Sequence, residues 1–413
     1  MNAGSGHRVH KSLLNTTLLV VGFGYTVDAF DTLLYNALRV PSLRDLGVNG
    51  DALVNVGLNI FNIQLAGMLI GGFLWGILGD KIGRKKALVG SVLLYSFGSL
   101  GCAVASSVAL YALLRFLTGI GLAGEIALGA ILVTETLPDK KRSWGLGIYA
   151  LFAYAGIILA ATLAGCLPWR TCYAIGGIAG LLLLLGRMTL FESGLYEKLL
   201  MQAKTKRGSL KMLLSKPVLL KRWLCCIFFM GSYFYVLSFL ITLAPEFGKA
   251  VGVAAPIKAS TAITVYSSCA MIGTMLSVLV SDFLRKRVVT LALFMLVNMI
   301  LGACYLLQDH PSEVTFYTLC GVMGLMNYFV LLLFALVEQF GTNMRATAGT
   351  SAISIGRSTL VITNSVFLAF KASGIDILHA AGYTGAIVFT VGFVSLLGLR
   401  ETYHQGMDFL EEA

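Results

Sequence analysis

Two carboxylates stand three residues apart in the stretch YTVDAFDTLLYN, at Asp28 and Asp31, directly after the apolar run SLLNTTLLVVGFG. Residues three apart lie on one face of a helix, so both side chains can face the same cavity. An ionisable side chain at bilayer depth costs about 2.5 to more than 10 kcal/mol and is kept mainly for function. The spacing therefore predicts proton chemistry on this helix face.

Arg115 is the candidate partner of these carboxylates. At 1.5 Å per residue it lies about 10 Å from the outer end of its apolar segment, a depth similar to that of Asp28. A carboxylate that faces a guanidinium stays ionised, whereas one separated from it in an apolar site takes up a proton. Making and breaking this pair would act as a proton switch; the alternative is a static ion pair between two helices.

Glu125 and Arg357 are two further charges inside apolar segments. Glu125 lies about 25 Å from the outer end of its segment. It is predicted to be an inner proton station or a solute contact, with a structural bond to a neighbouring helix as the alternative. Arg357 lies near the midplane, where transporters bind solute, and favours an anion. Polar residues predicted to support a solute site are Tyr154, Tyr233, Asn327 and Asn62.

These residues require membrane-spanning helices to position them. The 413-residue chain is 57% hydrophobic and 12% charged, with a mean hydropathy of +0.83, and about 20 apolar residues are enough for one span. The apolar runs predict an all-α integral membrane protein with twelve spans. They are placed at 12–38, 52–78, 86–106, 108–134, 143–167, 170–190, 219–245, 258–281, 288–308, 314–338, 347–370 and 377–399.

The net charge of +11 reflects how the basic residues are distributed between the two sides of the membrane. Most Lys and Arg fall in alternate loops, as expected if those loops and both termini are cytoplasmic. The chain is therefore expected in a bacterial inner membrane, with the lipid bilayer and not a nucleic acid as its surroundings. The eight cysteines form no CxxC pair, so no metal or cofactor site is expected.

An internal repeat divides the chain. Asp80 and Asp282 are 202 residues apart, and two further pairs, Glu135 with Glu338 and Arg142 with Arg345, are 203 apart. Six spans per copy predict two parallel repeats. The predicted division is an N-terminal half 1–190, a cytoplasmic linker 191–217, a C-terminal half 218–402 and a cytoplasmic tail 403–413.

The loop GDKIGRKK after the second span resembles the signature loop of the major facilitator superfamily. The residues that carry the match are Gly76, Asp80, Lys81, Gly83, Arg84 and Lys85, and the resemblance implies a gating role for this loop. The repeat extends that role to Glu135, Arg142, Glu338 and Arg345. The second copy, DFLRKR, has no glycine, so the first copy is expected to dominate the latch.

The stretch RFLTGIGLAGEIALGAILVTETLPDKKRSWG is similar to the fourth-span pattern of sugar porters and of metabolite:proton and phosphate:proton symporters. AFDT resembles the first-span motif of sugar porters, which implies that Asp31 and Arg115 form the coupling pair. DAFD resembles the motif of aromatic-acid:proton symporters, in which both acids matter. The sugar-binding glutamine pattern is absent from the seventh span, so a sugar is not the expected solute.

The expected function is import of a small organic anion or zwitterion by proton symport, with alternating access between two halves. The resemblance implies that the protein works as a monomer. Uncoupled facilitation, proton-driven export and a transporter-like sensor are the alternatives. The sequence shows no group of residues typical of a catalytic nucleophile, a metal site or a phosphate-binding loop, so an enzyme is not expected. Protons are the expected coupling ion, and no organic cofactor is expected.

Overall fold

The structure is a computed structural model of the chain. It describes residues 16–49, 52–138, 141–188, 190, 192–201, 207–403 and 406–411. The tail 1–11, the start of the predicted first span at 12–15, and parts of the predicted linker and C-terminal tail lie outside these residues. Within the described residues every regular element is a helix.

The chain folds into two compact units. One comprises the described residues up to Met212 together with Phe340–Ser351 and the described part of 406–413. The other comprises Leu213–Gln339 and the described part of 352–405. The division predicted from the repeat, at 190 and 218, stays a prediction.

The first unit contains eight complete helices among the described residues. They are α1 (Thr16–Asp45), α2 (Ala52–Ile82), α3 (Arg84–Ala103), α4 (Val108–Leu122), α5 (Glu125–Thr136), α6 (Arg142–Cys166), α7 (Trp169–Met188) and α8 (Gly194–Met201). Helix α9 (Leu210–Ser215) begins in the first unit and continues from Leu213 in the second. Helix α1 packs mainly against α6, α2 against α4, and α3 against α7.

The second unit contains seven complete α-helices within the part of the chain that the structure describes. They are α10 (Pro217–Phe234), which continues as a π-helix at Tyr235–Leu240, α11 (Ala244–Ala250), α12 (Ala259–Leu284), α13 (Arg287–Leu306), α14 (Glu313–Leu325), α15 (Phe329–Gln339) and α17 (Ile377–Leu396). Helix α16 (Arg345–Ala372) begins in the first unit and continues from Ala352 in the second.

Twelve helical segments of the described chain are long and apolar enough to cross a bilayer. They coincide with the twelve predicted spans, so the predicted all-α membrane architecture is confirmed. The largest difference is in the first span, which continues past the predicted end at residue 38 to Asp45.

Spans four and ten are each broken into two helices. The first break separates α4 from α5 at Ala123 and Gly124; the second separates α14 from α15 at 326–328. The two breaks lie at equivalent positions of the repeat. In the second break the Asn327 side-chain oxygen accepts a hydrogen bond from the Phe329 amide at 2.9 Å, so this predicted solute residue also caps α15.

A glycine on α4 allows that helix to approach α2 closely. A Cβ atom on Gly119 would lie 3.1 Å from the Gln64 carbonyl carbon and 3.2 Å from the Met68 amide nitrogen. Small residues are typical of such contacts between membrane helices. The close approach places Gln64 beside Arg115, which lies one turn before Gly119.

Candidate functional site

Asp31 of α1 and Arg115 of α4 form a buried ion pair in the first unit. The Asp31 Oδ2 atom lies 3.1 Å from Arg115 Nη1, and both side chains are at most 1% exposed. Ser99 of α3 donates a hydrogen bond of 2.7 Å to Asp31 Oδ1, and Arg115 Nε donates to Gln64 Oε1 at 3.3 Å. Both carboxylate oxygens and part of the guanidinium are therefore held in fixed positions.

Tyrosine rings surround the guanidinium of Arg115. Its Cζ atom lies 5.4 Å from the ring centres of both Tyr35 and Tyr173, within the range of cation–π attraction. The Tyr173 hydroxyl is 2.7 Å from that of Tyr111. Arg115 Nη2 has no hydrogen-bond partner among the described residues, so this cation depends mainly on Asp31 for compensation.

Asp28, the other predicted carboxylate of α1, is 1% exposed. It acts electrostatically on the hydroxyl groups of Tyr95 in α3 and Tyr149 in α6. Arg115 forms its ion pair with Asp31. Asp28 therefore lies in the same buried polar region but has a different environment.

Glu125 forms a second buried ion pair, with Arg187 of α7. Arg187 Nη2 donates to Glu125 Oε1, and both side chains are 0% exposed. Glu125 is the first residue of α5, directly after the break in span four. The sequence analysis missed Arg187, because it stands at the end of a span next to a basic loop.

A third cluster, here named the Asp80 cluster, consists of Asp80, Arg84, Glu135, Ser193 and Arg345. Glu135 Oε1 lies 2.6 Å from Arg345 Nη1, and Glu135 Oε2 lies 3.3 Å from Arg84 Nε. Ser193 donates to the same carboxylate, and Asp80 lies 3.5 Å from Arg84. Two carboxylates thus balance two guanidinium groups, which are 0% exposed.

Asp80 also caps the start of α16. Its two carboxylate oxygens accept the amide hydrogens of Ala346 at 3.1 Å and Thr347 at 2.8 Å. A negative charge is favourable at a helix N-terminus, where amide groups lack internal partners. Gly76 lies at the same contact, because a Cβ atom there would be 2.9 Å from both Ala346 O and Thr347 Cα.

Gly83 lies between α2 and α3 with φ 106° and ψ 154°. The next two amides, those of Arg84 and Lys85, donate to the Glu192 carboxylate at 3.0 and 3.2 Å. Burial raises the pKa of the Glu192 carboxyl, while these amides and the Arg84 charge oppose the shift. Arg142, a further predicted gating residue, donates from Nε to Thr134 O at 2.8 Å.

The second unit contains a corresponding cluster despite its different loop sequence. Arg287 Nη1 lies 3.2 Å from Asp282, and its Nε lies 3.7 Å from Glu338. Thr402 donates to Glu338 at 2.6 Å, as Ser193 does to Glu135. The expectation that the first copy dominates the latch stays a prediction, since both units contain an arginine between two carboxylates.

The predicted solute residues are dispersed. Arg357 is half-buried on α16, and no hydrogen bond or ion pair joins it to a described residue of its unit. Tyr233 stacks on Phe329 with ring centres 4.9 Å apart, and Asn327 donates to Thr274 at 3.2 Å. In the first unit, Tyr154 is buried and Asn62 is exposed.

An apolar cavity of about 130 Å³ lies between α10, α16 and α17 in the second unit. Its lining is mainly aliphatic, with hydroxyl groups from Thr359, Thr363 and Thr384. Arg357, Tyr154, Tyr233, Asn327 and Asn62 do not line it. The cavity and the predicted solute residues are therefore separate features.

Twelve helices of the described chain that are long and apolar enough to cross a bilayer make this a multi-pass membrane protein. The sequence profile of the Major Facilitator Superfamily matches residues 21–363. The chain belongs to this superfamily and is a transporter, not an enzyme.

Similar proteins support the same class. Over 72% of this chain and 73% of the relative, it is 29% identical to the 3-(3-hydroxy-phenyl)propionate transporter of Escherichia coli. It is 30% identical to the niacin transporter NiaP of Acinetobacter baylyi over 40% of this chain and 37% of the relative. A Bacillus subtilis relative is also matched over only 57% of its length.

The fold is that of a solved proton:xylose symporter, XylE. The match has a TM-score of 0.74 and covers 95% of this chain and 97% of XylE. The two sequences are 17% identical, so this likeness concerns the fold.

Proposed function

We propose that this protein is a secondary active transporter that imports a small organic anion or zwitterion by proton symport. The single observation that carries the proposal is the ion pair between Asp31 and Arg115, whose atoms lie 3.1 Å apart in a fully buried site. Ionisable groups in membrane helices commonly mark proton and substrate pathways.

The proposed coupling follows from the electrostatics of this pair. When Asp31 takes up a proton, it becomes neutral and its attraction to Arg115 is largely lost. The guanidinium keeps its charge and needs another partner, because one of its nitrogens already lacks one among the described residues. Protonation therefore favours a different arrangement of α1 and α4, and alternating access requires such a bias between two states.

We propose an aromatic monocarboxylate as the solute class. This extends to the chain what the names of two relatives say of those proteins, a hydroxyphenylpropionate and niacin. Stacked rings at Tyr233 and Phe329 offer an apolar platform in the second unit. Arg357, in the same unit, supplies a guanidinium suited to a carboxylate.

The proposed location is a bacterial inner membrane with both termini cytoplasmic, and the proposed working unit is a monomer. Gating is assigned to the Asp80 cluster and to the corresponding residues Arg287 and Glu338. The Lys and Arg bias between loops supports the orientation.

The test is uptake into proteoliposomes with and without an imposed inward proton gradient. The labelled probes are nicotinate and 3-(3-hydroxyphenyl)propionate. The intact protein is compared with Asp31→Asn and with Asp309→Asn, a matched change at a carboxylate that is 96% exposed. We expect the intact protein and Asp309→Asn to accumulate a probe above equilibrium. Asp31→Asn should still exchange the probe across the membrane but should not accumulate it.

If uptake by the intact protein does not depend on the proton gradient, the symport proposal is wrong and the protein is an uncoupled facilitator. Accumulation of a probe that is driven by an outward proton gradient would instead indicate proton-driven export. Arg357→Gln tests the solute assignment separately, and we expect it to weaken apparent affinity for the carboxylates at least tenfold, the loss of about 1.4 kcal/mol.

A further inference from the structure

We propose that Glu125, held by Arg187, is a second proton-accepting site, connected to Asp31 through Asp28. The proposal rests on the proposed proton symport and deepens it. Arg187 is assigned as a positioning residue, because it acts through the Glu125 carboxylate. The observation that carries the inference is that the buried Asp28 and Asp31 share one face of α1 with Gly24, which packs against the buried Glu125–Arg187 pair.

The geometry of α1 places the two ion pairs near each other. Gly24, Asp28 and Asp31 follow the i, i+4, i+7 spacing of one helix face. A Cβ atom on Gly24 would collide with both Arg187 Nη2 and Glu125 Oε1. Since Gly24 and Asp31 are seven residues apart, the two pairs are separated by about 10 Å along the helix axis.

Asp28 lies between the pairs. It is four residues from Gly24 and three from Asp31, and it is buried like both pairs. A proton on Asp31 can thus pass to Glu125 in two shorter steps instead of one step of about 10 Å. This intermediate position gives a reason for the presence of Asp28 beside Asp31 in the YTVDAFDTLLYN stretch.

The Glu125 site has capacity for a proton. Glu125 Oε1 accepts from Arg187, whereas Glu125 Oε2 has no hydrogen-bond partner among the described residues. When Oε2 binds a proton, the carboxylate becomes a neutral acid, and Arg187 keeps its own proton and charge. The reverse step returns the proton to water or to the next acceptor, so no other reactant is needed.

The charged and titratable groups that face this site come from every helix packed around it. Helix α1 contributes Asp28, Asp31 and Tyr25, α3 contributes Tyr95, α6 contributes Tyr149, and α7 contributes Arg187. Tyr95 is within electrostatic range of both pairs, and its hydroxyl has no hydrogen-bond partner among the described residues. In the proposed relay, this hydroxyl passes the proton between the pairs.

The test follows the protonation of carboxyl groups in the purified full-length protein by infrared titration of the carboxyl C=O band. We expect the intact protein to show separate components for Asp31 and Glu125. Glu125→Gln should abolish one and Asp31→Asn the other. Glu125→Asp keeps a carboxylate and should retain a titrating component if Glu125→Gln does not fold.

Arg187 is tested by the conservative change Arg187→Lys and by Arg187→Gln. We expect Arg187→Gln to change the pH at which the Glu125 component appears, and Arg187→Lys to restore much of the original behaviour. Tyr95→Phe should slow proton transfer between the sites without removing either component. A titration in which Glu125→Gln and Glu125→Asp both match the intact protein would overturn the proposal and make Glu125–Arg187 a static structural pair.

This measurement separates the two proposals. Suppose that uptake of both probes into proteoliposomes does not depend on the proton gradient, while the infrared component of Glu125 is present. The symport proposal then fails and the proton site stands. If nicotinate accumulates with the gradient but Glu125 shows no titration, the proton site fails and symport through Asp31 stands.

Discussion

The carboxylate of Glu135 and the guanidinium of Arg345 lie 2.6 Å apart, although 210 residues separate them in the chain. Arg345 is the first residue of α16, and Glu135 is near the end of α5. Arg345 also donates to the Met407 carbonyl at 2.7 Å. The pair therefore fixes three distant segments of the first unit at one buried point.

Removing this guanidinium is predicted to be costly. Arg345→Ala leaves the Glu135 carboxylate buried with one cation fewer, and such a loss typically costs about 3–5 kcal/mol. The matched control is Arg170→Ala, which breaks an exposed ion pair with Asp45 at 3.0 Å and should cost at most about 1 kcal/mol. Thermal unfolding in detergent measures both, and equal losses would contradict the assignment.

The two repeats offer a backbone comparison at Gly83 and Arg285. Gly83 has φ 106° and ψ 154°, a region open almost only to glycine, so Gly83→Ala should cost about 1–3 kcal/mol. Its new Cβ would also lie 3.0 Å from the Glu192 carboxyl carbon. Arg285 has φ 53° and ψ 31°, in the left-handed helical region, so Arg285→Gly should be neutral or stabilising.

Unfolding midpoints of the two variants in detergent test this contrast. The opposite signs are the prediction, because both positions end a helix at the same point of the repeat. Loss of stability in Arg285→Gly equal to that in Gly83→Ala would show that backbone strain does not distinguish them.

The spans were predictable because each is a long apolar run bounded by charged loops, a local property of the sequence. The break in span four was not predicted, since GLAGE contains no proline and its hydropathy continues through the break. That break determines where Glu125 lies, as the first residue of a new helix. Counting residues from the end of the span could give its depth but not its partner.

Arg187 shows why the remainder of the site was missed. A basic residue at the end of a span usually extends its head group to water, and it was counted with the loop that follows. Its burial depends on Gly24 and Glu125, which are distant in sequence and leave room and charge for it. The only available signal was Glu125 itself, because a buried carboxylate requires a cation.

Gly24 is predicted to be intolerant of any side chain. Gly24→Ala places a methyl group into the contact between Arg187 and Glu125, and such overpacking costs about 1–3 kcal/mol. Gly165→Ala is the control, because nothing lies within 4 Å of its added Cβ. Unfolding in detergent should show a loss for Gly24→Ala and none for Gly165→Ala.

The infrared titration adds a functional readout for the same variant. We expect Gly24→Ala to alter the Glu125 component while leaving the Asp31 component unchanged. Equal behaviour of the two glycine variants in both measurements would show that α1 tolerates a methyl group at this contact.

Asp376 provides a pH-dependent prediction outside the membrane spans. It caps α17 by accepting the amides of Leu378 at 2.9 Å and His379 at 3.2 Å, and its carboxylate contacts the His379 ring. The bond from the His379 amide is the main reason that the pKa of Asp376 lies below its usual value. Asp376→Ala should cost about 1 kcal/mol, as for other helix caps.

The sign of the pH dependence follows from that lowered pKa. The ionised carboxylate is favoured in the folded state, so its stabilisation is present above the unfolded pKa of about 3.9 and is lost as pH falls through the folded pKa. The difference in unfolding midpoint between the intact protein and Asp376→Ala should thus shrink in acid. Asp376→Asn retains a cap without this titration, so a similar acid dependence in Asp376→Asn would assign the effect to another group.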